Sequence, residues 1–362
     1  MTFRKFIWYL CVYLLFAQPF LVKGQTQMTG VFADDSLMVM TRYNQGRGRM
    51  LYNQGVSSMQ QGNFQGALQQ FSEALTFDSE LSEAYYNRGI AQLRLRNEVE
   101  AMLDIASAIQ LDPRPEYYYG RALIAVKRND LNSALSDMQR ASQSDPPPPD
   151  LLLSIGILQL RLGNVSAALD AFTRLSRTDK LNTRAINGLA MVYLQLGDTA
   201  SASEKLAESI EADSAQTDVL MLMGDLSMKA SRLPEAMDYF GKALALDGKN
   251  HQALNALAVV YLLTKNTDSA FYYSKSAINA NPGYPPSWNT SGMVFYLNKD
   301  YQKAEADYSM AISLAPGMWK AYYNRALSRE MQRNDQGACD DWKKAGDNGV
   351  KEAREQYLQN CE

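Results

Sequence analysis

From Gly48 to the end of the chain, the pattern of small, apolar and polar positions recurs every 34 residues, with one interval of 33. The units begin at Gly48, Ser82, Pro115, Pro149, Thr183, Thr217, His251, Pro285 and Trp319. Position 8 of each unit is Gly or Ala, from Gly55 to Ala326, and position 20 is always Ala, from Ala67 to Ala338. Position 24 is mostly large, as in Phe71, Ile105, Phe172, Phe240 and Trp342. Self-similarity at this period predicts helical hairpins stacked in a row rather than one globular core. Small residues at positions 8 and 20 allow the two helices of a unit to approach, and the residue at 24 fills the space toward the next unit. Turn residues separate the helices, among them Gly62-Asn63, Gly163-Asn164, Gly197-Asp198, Lys265-Asn266 and Arg333-Asn334. Gly and Asn tolerate the left-handed backbone that ends a helix. Asp112-Pro113, Asp145-Pro146 and Asn281-Pro282 stop the second helix, which Pro cannot continue.

These residues resemble the tetratricopeptide repeat family over residues 48–352. The resemblance implies an all-α, right-handed superhelical solenoid of nine hairpins: 48–81, 82–114, 115–148, 149–182, 183–216, 217–250, 251–284, 285–318 and 319–352. Residues 25–47 form a lead-in and 353–362 a C-terminal cap. Three units depart from the pattern: unit 3 has Ala122 where Gly is commoner, unit 5 lacks a closing Pro and has Ser209 at position 27, and unit 7 has Ser274 at position 24. Unit 5 is the expected weak point of the array. The Pro146–Pro149 run resembles a linker, but the repeat phase passes through it unchanged, so it is expected to form a stiff turn.

Residues 1–24 have the pattern of an export signal. Arg4 and Lys5 precede an apolar run from Phe6 to Ala17, and Val22 and Gly24 suit cleavage before Gln25. The run is short for a membrane span, which needs about 20 apolar residues; an uncleaved 6–22 anchor is the alternative. Losing Arg4, Lys5 and Lys23 takes the net charge from −3 to −6, against nucleic acid or anionic membrane as a partner. In the lead-in, Asp34-Asp35-Ser36 is placed to cap a short helix through Leu37–Met40. The string Ala338-Cys339-Asp340-Asp341-Trp342-Lys343-Lys344-Ala345, with Cys361 after it, resembles the last repeat of exported repeat proteins from Bacteroidetes-type bacteria. A periplasmic or cell-surface location follows from signal and resemblance together. Cys339 and Cys361 are the two cysteines left after cleavage. In an oxidising compartment either they form a bridge that pins the last helix, or they stay as two half-buried thiols.

No catalytic constellation stands out. One histidine, His251, supplies neither a metal site nor a His-based triad, and no Gly-rich phosphate loop follows a strand. The expectation is a non-catalytic protein with no metal or cofactor, acting as a scaffold or adaptor. In the family resembled, positions 2, 5, 9 and 12 of the first helix line the concave face. Position 5 carries Tyr52, Tyr86, Tyr119, Leu153, Asn187, Met221, Asn255, Asn289 and Tyr323. These apart from Asn187, the N-terminal Tyr row above all, are the candidate partner-binding residues, with an amphipathic helix or extended apolar peptide as ligand. Positions 9 and 12 are apolar apart from Asp225 and Glu330, and serve groove or packing equally well. A membrane-tethered assembly subunit and a self-associating structural protein are the rival readings.

Overall fold

A computed structural model describes residues 35–144, 147, 150–179 and 182–362. The described residues form nineteen helices and no strand. The chain divides into two compact units between Asp198 and Thr199, inside the fifth repeat.

The first unit contains α1 (Asp35–Gln60), α2 (Phe64–Phe77), α3 (Ser82–Arg94), α4 (Glu98–Leu111), α5 (Pro115–Lys127), α6 (Leu131–Ala141), α7 (Leu151–Arg161), α8 (Val165–Thr178) and α9 (Thr183–Leu196). The second contains α10 (Thr199–Ala212), α11 (Thr217–Lys229), α12 (Leu233–Leu246), α13 (His251–Leu263), α14 (Thr267–Ala280), α15 (Pro285–Leu297), α16 (Tyr301–Leu314), α17 (Trp319–Met331), α18 (Asp335–Asp347) and α19 (Lys351–Asn360). Within each unit, consecutive helices pack as hairpins, and each hairpin packs on the next. Within each unit the apolar core is accordingly a series of clusters that join neighbouring repeats, rather than a single mass.

Local chemistry explains the regularity. Position 15 adopts a left-handed backbone in all nine repeats, at Gly62, Arg96, Asn129, Gly163, Gly197, Ser231, Lys265, Lys299 and Arg333. The following residue starts the second helix, and side chains of Asn63, Asp130, Asn266, Asp300 and Asn334 accept backbone N–H groups there. In repeats 1, 4, 6 and 8 the position 24 ring packs against the position 8 glycine. A Cβ added at Gly156 or Gly224 would lie 2.5 Å or 2.3 Å from the Phe172 or Phe240 ring. Ser209 and Ser274, two of the pattern breaks, are fully buried and still satisfied. Gln216 donates to the Ser209 hydroxyl at 3.0 Å, and the Ser274 hydroxyl donates to the Phe271 carbonyl at 3.0 Å.

Two helix starts differ from the repeat phase. α1 runs unbroken from Asp35 through Gln60, so the described part of the lead-in extends the first repeat helix instead of forming a separate cap. No turn pair or Pro interrupts that stretch, and its three glycines weaken a helix without stopping it. α7 begins at Leu151, after Asp150 in a left-handed conformation, two residues past the expected start. The signal segment 1–24 lies outside the described residues, as do Pro146, Pro148 and Pro149. No described helix is long and apolar enough to cross a membrane. At the C-terminus, Cys339 on α18 is joined to Cys361 beyond α19, and Ala353, Tyr357 and Cys361 pack on the cluster around Trp342.

Candidate partner-binding surface

The N-terminal Tyr row is core, not groove. Tyr52, Tyr86 and Tyr119 are 2%, 4% and 6% exposed, and Leu153, Asn187 and Met221 are also buried. The ring at position 5 reaches across to position 6 of the next repeat. Asn87 Nδ2 donates to the Tyr52 hydroxyl at 2.9 Å, and the Tyr119 hydroxyl lies 2.8 Å from Ser154 Oγ. Tyr86 lies over Gly120, where a Cβ would come within 2.7 Å of the ring, and stacks on Tyr117 at 4.7 Å. Burial raises the phenol pKa of all three tyrosines, that of Tyr119 to about 12. A side chain of this size at position 5 spans the gap between first helices, so it is spent on repeat-to-repeat packing.

Beside this row, repeats 2, 3 and 9 carry one recurring ionic latch. Arg88, Arg121 and Arg325 at position 7 form bidentate bonds of 2.7–2.8 Å to Asp104, Asp137 and Asp341 at position 23. Tyr85, Tyr118 and Tyr322 at position 4 lie under the three guanidiniums. Arg88 and Arg325 also donate to Ser72 and Ser309 of the preceding repeat. The hydrogen bonds to Asp104 and Asp137 raise the pKa of Arg88 and Arg121 further above the ordinary guanidinium value. Such planar, paired charges fix register. Asn87-Arg88 and Asn324-Arg325 are therefore structural pairs.

The second unit presents a different face. Asn255, Asn289 and Tyr323 at position 5 are half-buried, as are Val259, Met293 and Leu327 at position 9. One turn further on, position 13 carries Leu263, Leu297 and Met331, at 57%, 54% and 50% exposed. Positions 5, 9 and 13 lie on one helix face. In the first six repeats position 13 is polar: Gln60, Arg94, Lys127, Arg161, Gln195 and Lys229. The apolar switch at position 13 is legible in the sequence, one helical turn beyond position 9, which lines the concave face in the family resembled. α15 and α17 are tied by Asn324 Nδ2, which donates to Asn289 Oδ1 at 3.0 Å. The buried Asn255 Oδ1 has no hydrogen-bond partner. Burial raises the pKa of Tyr323, with a contribution from Glu352 and Glu330. The result is a row of amides beside a row of half-exposed aliphatic side chains, a surface suited to a polypeptide with apolar side chains. No group of three His, Cys, Asp or Glu side chains among the described residues is placed to hold a metal.

Residues 57–95 match the family description "TPR repeat", and residues 119–180, 153–217 and 221–285 match "Tetratricopeptide repeat". A stretch of 107 residues is 33% identical to the DnaJ homolog subfamily C member 7 homolog of Dictyostelium discoideum. A stretch of 117 residues is 33% identical to the protein of that description in Schizosaccharomyces pombe. The matches take in 28% and 30% of this chain and span only 20% and 24% of those relatives. Among solved structures, a tetratricopeptide repeat protein from Parabacteroides merdae superposes with a TM-score of 0.54 at 20% identity, over 68% of this chain and 99% of that one. A chain of the APC/C Cut9–Hcn1 hetero-tetramer gives 0.54 at 15% identity, over 87% of this chain and 76% of that one. At these identities the structures share the fold alone. That fold is generally found in non-catalytic protein–protein interaction scaffolds, and the sequence matches, the repeated hairpins and their small-residue packing together show that the chain belongs to the tetratricopeptide repeat family.

Proposed function

We infer that the protein is an exported adaptor whose second unit binds an apolar segment of a partner along α13, α15 and α17. The observation that carries this is the switch at position 13 to Leu263, Leu297 and Met331, each about half exposed, in three successive repeats. Aliphatic side chains left open beside Val259, Met293 and Leu327 favour a partner that covers them. Met in the row suits a surface that adapts to several side-chain shapes.

Export is supported by the signal-like pattern at 1–24 and by the Cys339–Cys361 bridge, since disulfides persist in oxidising compartments. A periplasmic or cell-surface location suits both. N-terminal sequencing of the native protein tests it: Gln25 as first residue supports export with cleavage, and a retained Met1 points to a tether.

Binding is tested by pull-down from solubilised native envelope, followed by affinity measurement with the recovered partner. Wild type is compared with a Leu263→Glu, Leu297→Glu, Met331→Glu variant of unchanged helicity. A loss of tenfold or more supports the assignment. Equal affinity overturns it.

A further inference from the structure

We propose that the cleft between α4, α5 and α6 in the first unit binds an acidic side chain of a polypeptide. The cleft has a volume of about 390 Å³ and its wall includes Met102, Arg121, Ala125, Arg128, Asp137 and Arg140. Its own carboxylates are already used. Asp137 holds Arg121 through two bonds, and Asp130, on the rim, accepts the backbone N–H of Ser133. Among the described residues, neither Arg128 nor Arg140 meets a carboxylate; the Arg140 guanidinium lies over the Tyr118 ring at 5.5 Å. Three guanidiniums against two occupied carboxylates leave the cleft with a net positive charge.

The molecule contains a filled version of the same cleft. Repeat 9 has the same latch, Arg325 with Asp341, and the same cation over the position 4 ring, Lys344 over Tyr322 at 4.6 Å. There, position 21 of the preceding repeat is Glu305. Its carboxylate accepts from Arg329 at 2.7 Å and from Gln332 at 2.9 Å. The equivalents of Glu305, Arg329 and Gln332 in the open cleft are Met102, Ala125 and Arg128. The internal carboxylate is gone, Ala125 leaves room where a long side chain stood, and Arg128 puts a full charge where Gln332 sits. An incoming Glu or Asp therefore finds in repeat 3 the space that Glu305 fills in repeat 9, with Arg128 in place of Gln332 and no counterpart of Arg329. Arg140 also borders a second hollow beside Pro113, Pro115 and Gln143, so a chain on either side of the acidic residue has room to continue. A bidentate guanidinium contact is the expected mode of capture.

The test is fluorescence anisotropy with fluorescein-labelled hexaglutamate on the full chain. Saturable binding is expected, weakened at least tenfold by Arg128→Ala with Arg140→Ala. Met102→Glu, which supplies the missing internal carboxylate, should weaken it similarly while leaving both arginines in place. Arg174→Ala with Arg177→Ala removes the same charge from α8 and should change affinity less than twofold. Circular dichroism checks that each variant is folded. Equal affinity across all variants, or no saturable binding to wild type, overturns the proposal. A saturable phosphate site for which hexaglutamate does not compete overturns the carboxylate assignment.

Discussion

The two units use one repeat to opposite ends. In the first, position 5 is filled by Tyr52, Tyr86, Tyr119 and Leu153, all buried, and position 13 is Gln, Arg or Lys. In the second, Asn255 and Asn289 stand at position 5 in repeats 7 and 8, and position 13 turns to Leu263, Leu297 and Met331. A large ring closes the gap between successive first helices and leaves a polar outer row. In repeats 7 and 8 a half-buried amide at position 5 stands on the same helix face as a half-exposed Leu at position 13. The number of aromatic residues along a helix row is therefore a poor guide to where such a protein binds. What matters is whether the neighbouring repeat has room for them, as Gly120 has for Tyr86.

The sharpest way to break this comparison is to charge both rows. Tyr86→Glu places a carboxylate in a packed, fully enclosed site and should cost about 4 kcal/mol or more, unfolding much of the first unit. Leu297→Glu, in the half-exposed row, should change stability by about 0.5 kcal/mol or less. Urea denaturation followed by circular dichroism separates the two. Similar losses from both would erase the distinction between core row and surface row.

The latches divide the repeats a second way. Repeats 2, 3 and 9 hold their hairpins with Arg–Asp pairs, whereas repeats 4 and 7 place Ile155 with Ala171 and Leu257 with Tyr273 at the same two positions. Repeat 8 exchanges the parts. Ser291 stands at position 7, and Lys275 from the preceding repeat reaches Asp307 at 3.4 Å, so the cation and the hydroxyl have swapped places. Asp341→Ala leaves Arg325 and Arg329 without their shared carboxylate and should cost about 3 kcal/mol, near the lower end for breaking a buried pair. Substituting Met for both Arg325 and Asp341 should recover much of that loss. Failure of the apolar pair to do so would mean that the latch contributes more than apolar packing can replace.

The C-terminal bridge offers a smaller handle on the second unit. Cys361→Ser opens a loop 22 residues long and should cost up to about 3 kcal/mol in the chain-entropy model. Amides of α19 should then exchange faster than those of α13 and α15. Unchanged exchange in α19 would show that the contacts of Tyr357 and Ala353 hold the helix alone.

The smallest effect concerns pH. Burial lowers the pKa of His251 below its ordinary 6.5, with Asp247 opposing. The unfolded chain therefore takes up a proton first, and stability is lost as pH falls from about 6.5 through the lower folded value. Asn281 and Tyr284 are the neighbours of the ring. His251→Gln should flatten this part of the pH–stability curve for the second unit. A curve of unchanged slope would assign the dependence to other groups.

Much of the fold was legible because each repeat is set by a few local rules. The Gly55–Phe71 and Gly224–Phe240 approaches, the position 15 turns and the Asn and Asp caps all lie within one hairpin and leave a fixed sequence spacing. The site was harder to read, because exposure depends on what the next repeat offers. Tyr52 is buried through Asn87, which is 35 residues away. The helix continuing back to Asp35 carried no stop signal, so the repeat phase alone could not place its start. The Arg–Asp latches were readable as recurring Arg at position 7, although their partners at position 23 emerge only when the hairpin closes.

The most direct test of the account is hydrogen–deuterium exchange of the protein with and without its recovered partner. The account predicts added protection in α13, α15 and α17, centred on Leu263, Leu297 and Met331. Protection confined to α1, α3 and α5, around the Tyr row, would contradict it.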